Sequence, residues 1–280
     1  MLVLPAFLLV HWLSAIFFQT FFHHRYASHR MFTMSPGWER FFHLGAFVCM
    51  GSSYLTPRAY AILHREHHAY SDTEKDPHSP HSFGNALAMM WSTKQRYGAI
   101  YDGRAAVEPR FLGGYPSWPA LEQLGESMIT RVAWGTLYSV VYLVFMPHWA
   151  FLLALPIHWL LGPIHGAIVN WCGHKYGYRN FPAVTDRSRN TLPFDFLTLG
   201  ELFQNNHHRH PMSPDFAARW FEVDPAFILI RLFARLGVIR YSEKARRIPG
   251  RPAGKRRRSN PHRARSAPRW FPRALRQFDA

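Results

Sequence analysis

Eight of the chain's 18 histidines fall into four clusters: His24 and His29 in "HRYASH", His64, His67 and His68 in "HREHH", His174 in "NWCGH", and His207 with His208 in "QNNHH". On a helix, residues three and four apart share a face, so His64, His67 and His68 can converge on one point. His207 and His208, with Gln204 three residues earlier, repeat that spacing. His24 and His29 are five apart and point roughly 140° from each other on an ideal helix. They reach two different metals, or the helix bends between them. Isolated histidines such as His11, His43 and His148 read as polar side chains at a membrane interface. Eight in four spaced clusters read as metal ligands, because neutral imidazole is the commonest nitrogen ligand and ionisable groups near membrane depth mark function. A structural zinc takes four ligands, so eight histidines suit two metals. Imidazole accepts Fe, Zn, Cu or Ni, and ligand type alone leaves the metal open.

The elements that position these residues are apolar. Of 280 residues, 48% are hydrophobic and 16% aromatic, yet the mean hydropathy is only -0.18 because the polar residues are segregated. An apolar helix needs about 20 residues to cross a bilayer. Residues 2–22 meet that without a charge, and residues 132–147 and 149–172 read as a helical hairpin that turns at Pro147-His148. Residues 41–57 are shorter and end in Gly, Ser and Thr, which suggests a re-entrant or interfacial helix. The expected architecture is therefore an all-α membrane protein, residues 1–245, whose transmembrane helices carry a cytoplasmic helical cap holding a histidine-ligated di-metal site. Residues 246–280 follow as a basic disordered tail. Residues 240–280 hold 14 Lys and Arg against two acids, which accounts for 12 of the net charge of +16. By the positive-inside rule the C-terminus is cytoplasmic, and the histidine clusters then face that same compartment. Solvated disorder, or attraction to anionic membrane lipid, explains the tail better than nucleic-acid binding does. The two cysteines, Cys49 and Cys172, lie far apart in apolar surroundings and suggest neither a disulfide framework nor an iron–sulfur site. The first apolar run has no basic leader and is expected to remain in the mature protein.

In its three boxes, "HHRYASHR", "HREHHAYSDTEKDPHSP" and "GELFQNNHHRHP", and in "NWCGHKYGYRNF", the sequence resembles the integral-membrane fatty acid desaturases, most closely the acyl-CoA and acyl-lipid delta-9 branch. The similarity runs from about residue 10 to about residue 240. It implies an oxygen-dependent enzyme with two non-haem irons that inserts a cis double bond into an acyl chain. It also implies His24, His29, His64, His67, His68, His174, His207 and His208 as iron ligands, with Asn170 holding a metal-bound water. Gln204 departs from the pattern, since much of the branch has a ninth histidine there; a water-bound or open iron position is the expected consequence. His165 is nine residues before His174, half a rotation away on one helix, and reads with His158 as a packing residue. The short N-terminus is a second departure, with room for one span where the family usually has a hairpin.

Removing two hydrogens from an unactivated methylene pair needs a strong oxidant that no acid–base pair of side chains supplies. Each turnover also consumes two electrons, and the chain has no Gly-rich dinucleotide fingerprint. A partner must deliver them; the resemblance implies a ferredoxin or a cytochrome b5-like carrier with its reductase. Asp72, Glu74 and Asp76 are candidates to accept the second N–H of metal-bound histidines. A membrane di-iron hydroxylase of lipids, alkanes or carotenoids is the rival on the same scaffold, and the extended second box with "YGYRN" favours desaturation. A non-catalytic metal-binding or transport protein is disfavoured because the histidines do not line a path across the membrane and no inverted repeats occur.

Overall fold

The computed structural model describes residues 3–145 and 153–246. The turn expected at Pro147-His148 and the basic tail from residue 247 lie outside them. The first helix, α1 (Val3–Phe18), continues without a break as a π-helix (Gln19–Ser28), and from Pro5 to Ser28 the pair is long and apolar enough to cross a membrane. Helix α2 (Pro36–Met50) packs along α1, and α3 (Pro57–Tyr70) packs against the π-helix. Helix α4 (Ala86–Tyr101) covers α3; α5 (Pro119–Glu126) leads to α6 (Met128–Phe145), the second helix among the described residues with the length and composition of a span.

Local sequence explains where these helices start. Ser35, Thr56 and Asp224 each place a side-chain oxygen on the backbone N–H three residues on, at 3.5, 3.4 and 3.1 Å, and a proline follows each as the first helical residue. Asn85 caps α4 through Ala88 N at 2.9 Å. Such caps satisfy N–H groups that have no partner inside the helix, and proline there loses nothing. Gly51 ends α2 with φ +54°, and a Cβ at that position would lie 1.8 Å from the Tyr138 hydroxyl on α6. Only glycine fits.

The segment expected to be one helix over 149–172 is segmented. It runs as α7 (Leu155–Trp159), α8 (Leu161–Ala167), a second π-helix (Ile168–Cys172) and α9 (Gly173–Lys175). Short α10 (Gln204–Arg209), then α11 (Pro225–Arg235) and α12 (Glu243–Arg246), complete the α-helices among the described residues. The all-α expectation needs correction to mostly helical, because an antiparallel ribbon pairs β1 (Phe32–Met34) with β2 (Ile239–Tyr241), Phe32 opposite Tyr241. It ties the segment after α11 to the segment after the first histidine box.

Buried between α1, the first π-helix, α2 and α11 is a core that includes Phe21, Phe22, Phe32, Phe42 and Ile230. Arg25 is fully buried beside it, its guanidinium 2.7 Å from Asp224 Oδ2 and 3.5 Å from Glu201 Oε1, and 3.8 Å above the Phe216 ring. This ion set clamps the first histidine box to the third. Removing one partner from such a buried set costs about 3–5 kcal/mol, because the remaining charge is left without compensation.

Candidate metal centre

The π-helix is what brings His24 and His29 together. Its i→i+5 bonding, seen in His29 N–H to His24 O at 3.2 Å, stacks residues five apart, where an α-helix would splay them. The two ring centroids are 5.0 Å apart. The helix end is held by Arg65 of α3, which donates to Ala27 O and Ser28 O at 2.9 Å each. One arginine of the second box thus fixes the register of the first.

His24, His29, His64, His68 and His207 form one group whose ligand atoms all lie within 4.8 Å of one another. Their Nε2 atoms meet directly: His29 to His64 at 2.7 Å, His68 to His207 at 2.9 Å and His24 to His207 at 3.0 Å. His67, His174 and His208 form a second group of the same tightness. In this group every Nε2 is buried without a hydrogen-bond partner, while every Nδ1 faces a carboxylate. The pairs are His67 with Asp76 at 3.0 Å, His174 with Asp72 at 2.9 Å and His208 with Asp186 at 2.6 Å. In the first group, His24 Nδ1 lies 2.5 Å from Glu201 Oε2. A carboxylate on Nδ1 fixes the tautomer with Nε2 bare and aimed inward, which is how metal-ligating histidines are held. Three orphaned, converging Nε2 lone pairs fit a metal ion and have no other use in a buried site.

The electrostatics agree with this donor set. Burial alone would raise Asp72, Asp76 and Asp186, but the facing imidazoles and N–H donors outweigh it and hold all three well below the usual carboxylate range. Glu201 is lowered to about 2, burial again being outweighed, here by His24 and Arg25. Burial lowers His208 to about 4, and burial followed by the neighbouring histidines keeps His64, His68 and His207 well below 6.5. His67 departs from this: burial is outweighed by the facing Asp76, which raises it. Neutral imidazole is the form that binds a metal.

All eight sequence-derived histidines enter the two groups. Of the three acids considered, Asp72 and Asp76 face histidines, whereas Glu74 is exposed on the loop. Sequence reasoning missed Asp186 and Glu201. Asp186 is a single acid in the loop "TDRSRN", far from any box, and nothing in the sequence marks it; Glu201 lies three residues before Gln204 and could have been found inside its own box. His78 was also missed. Its ring stacks on His67 at 4.3 Å, and with His67 and Asp76 it makes a third close group. Asn205 and Asn206 hold the six-residue α10 in place: Asn205 bonds both N–H and C=O of Phe181, and Asn206 joins Asn180, Asn190, Glu222 and Phe216 O. So short a helix does not stand alone.

Gln204 donates to Glu201 O at 2.7 Å and packs beside Gly173, next to His174. Gln204, Asn170 and His165 all line a cavity of about 1180 Å³ that reaches His24, His64 and His67. His165 was expected to face elsewhere, but that expectation assumed one unbroken α-helix. The π-helical turn between His165 and His174 changes the phase, and His165 stands buried at the cavity wall with both ring nitrogens unpartnered. His158 does pack: it bonds His11 at 2.6 Å and Tyr142 at 2.5 Å. From the histidines the cavity extends between α4 and α6, past Leu87, Trp91, Met128 and Val132. It is larger than the about 300–1,000 Å³ of ordinary small-molecule sites.

Two buried poly-histidine groups that could hold metal ions thus stand beside a large, mainly apolar cavity in a mostly helical protein. The sequence model of the fatty acid desaturase family matches residues 1–245, and the chain belongs to that family. It is an oxidoreductase, a fatty acid desaturase. It is 29% identical to an sn-1 stearoyl-lipid 9-desaturase of Anabaena variabilis over 82% of this chain and 80% of that one. It is 26% identical to a hex-5-enoyl acyl-carrier-protein acetylenase of Moorena producens, over 77% of this chain and 69% of that one. An acyl-CoA 5-desaturase of Anemone leveillei is 27% identical over 80% of this chain and 66% of its own length.

Proposed function

We propose that the protein inserts a cis double bond, at the delta-9 position, into a saturated acyl chain, using dioxygen and two electrons supplied from outside. The observation that carries this reading is the trio of bare, buried Nε2 atoms of His67, His174 and His208 beside a second five-histidine group, the two groups reaching the large cavity through His67 and through His24 and His64. The delta-9 assignment is supported by the similarity to the stearoyl-lipid 9-desaturase. Two iron ions would be held, one by His24, His29, His64, His68 and His207, the other by His67, His174 and His208, with Asn170 and Gln204 nearby to hold water. Bound iron supplies the oxidant that an unactivated methylene pair demands. Asp72, Asp76, Asp186 and Glu201 aim the imidazoles, and the cavity wall lays the chain beside them and keeps bulk water out.

Helices α1 and α6 would cross the bilayer, and the segment from α7 to the second π-helix would return through it, which leaves the histidine groups and the C-terminus cytoplasmic. Leu87, Trp91, Met128 and Val132 line the cavity and are also exposed at the protein surface, between 55% and 84%. So apolar an opening suits a chain arriving sideways from membrane lipid. The test is expression in a host without desaturases, with lipid profiling and metal analysis of the purified protein. Two irons per chain and a new double bond at carbon 9 are expected. A hydroxylated chain, or one zinc and no iron, would overturn the reading.

A further inference from the structure

His165 lines the acyl cavity but belongs to neither histidine group. It is buried on α8, and among the described residues it alone has two side-chain nitrogens that are both buried and both without a hydrogen-bond partner. A neutral imidazole carries one N–H and one lone pair, so a donor and an acceptor both go unpaired here, which folded proteins avoid. The other polar groups around the cavity are closed off. Ser52 and Ser53 turn their hydroxyls onto Trp159 O, Thr93 bonds Met89 O, and Tyr97 donates to Glu126. His158, on the preceding helix, spends its two nitrogens on His11 and Tyr142.

The surroundings of His165 offer it nothing in their place. Gly162, Gly166 and Val169 flank it along the same segment and line the cavity with it, and none has a hydrogen-bonding side chain. The ring is close enough to Glu201 and His24 to interact with their charges, which sets it at the metal end of the cavity. Those two are already engaged, Glu201 Oε2 with His24 Nδ1 and Oε1 with Thr20 and Arg25. An ionisable side chain held at membrane depth without a protein partner marks a place where a ligand brings the partner.

We propose that His165 hydrogen-bonds a hydroxyl group on the acyl chain, so that the substrate class is a chain already hydroxylated within a few carbons of the reacting pair; the inference rests on the desaturation reading. A hydroxyl both donates and accepts, and so satisfies His165 whichever ring nitrogen carries the proton. The carbonyl at the head of the chain only accepts, and a delta-9 reaction keeps it far up the cavity from the metal end. The hydroxyl takes no part in the bond changes; His165 binds it and thereby sets which chain is accepted. A site built to bond a substrate hydroxyl discriminates against the analogue without one, because the site's own polar group is then left unpaired.

The experiment uses the full-length, iron-loaded protein in nanodiscs that hold phosphatidylcholines with stearoyl, 7-hydroxystearoyl and 12-hydroxystearoyl chains in equal amounts, the two hydroxyls lying on either side of the reacting carbons. Product ratios by mass spectrometry then give relative kcat/KM. Wild-type protein should favour one hydroxylated chain over stearoyl about tenfold or more. His165→Leu should lose that preference and keep its iron, whereas His165→Gln, which restores a donor and an acceptor, should retain most of it. Binding of the three free fatty acids to zinc-loaded protein reads the same preference without turnover. Equal use and equal binding of all three chains by wild type, an unchanged preference in His165→Leu, or loss of iron from His165→Leu would overturn the proposal while leaving desaturation standing. If no chain is desaturated, the desaturation reading falls, and the binding comparison by itself decides whether His165 selects a hydroxyl.

Discussion

Asp186 offers the sharpest test of how the second metal position is held. Its Oδ2 lies 2.6 Å from His208 Nδ1, and its Oδ1 accepts from Ser188 N at 2.8 Å and from the Ser188 hydroxyl. Asp186→Asn keeps the size but leaves one acceptor oxygen for two jobs. Whichever way the amide turns, its NH2 faces either the imidazole N–H or the Ser188 N–H. If Ser188 keeps the oxygen, His208 loses the partner that holds its Nε2 inward. Partners of this kind are worth about 10–100-fold in metal affinity, which is roughly 1.4–2.7 kcal/mol. The assay is anaerobic iron(II) titration of metal-free protein against a chelator, read together with acyl desaturation. Two classes of site should appear, with the weaker one loosened in the variant. Glu74→Gln, on the exposed loop, serves as the control and should change neither. Unaltered iron affinity at both positions in Asp186→Asn would refute the argument that the carboxylate orients His208.

His67→Ala and His207→Ala should each abolish product while the protein stays in the membrane fraction, since insertion depends on apolar helices and not on metal; loss of membrane protein in step with product would refute this. Gln204→Ala should lower activity by about 10–100-fold, and Gln204→His should bind iron at least as tightly; unchanged turnover and iron content in Gln204→Ala would leave the residue a packing role. In metal-free protein, burial lowers His208 to about 4 and His78 to about 3, from 6.5. Below pH 6.5 the unfolded chain therefore binds protons that the folded chain excludes, and stability falls as pH falls. The depressed carboxylates Asp72, Asp76 and Asp186 keep their contribution above the ordinary value of 3.8, so they do not act in that window. His208 alone accounts for roughly 3 kcal/mol by about pH 4. Thermal midpoints of the metal-free protein at pH 6.5 and about pH 4 check it, and a midpoint that holds steady or rises refutes it.

The sequence by itself determined which imidazoles group together and which side chains can begin helices. Both are local facts: His64, His67 and His68 share a face by helical spacing, and Ser35, Thr56 and Asp224 cap through neighbours three residues away. It also located two apolar stretches with the length and composition to span a bilayer, though the first runs on to Ser28 and the second starts at Met128. Tertiary structure decided how the clusters divide. His207 joins the first group and His208 the second, although they are adjacent in sequence, because α10 lies between the two sets of rings. It also decided the backbone state around His24 and His29. A π-helix has no strong composition signal, and this one is held by contacts with α3, including Arg65 from 37 residues away. The carboxylates on the imidazoles are divided in the same way. Asp76 is nine residues from His67 and was within reach of sequence reasoning, whereas Asp72 meets His174 across 102 residues and Asp186 meets His208 from a loop without any motif. Spacing along a chain constrains only what one turn of helix can bring together; partners separated by loops are chosen by packing, and the sequence does not display packing directly.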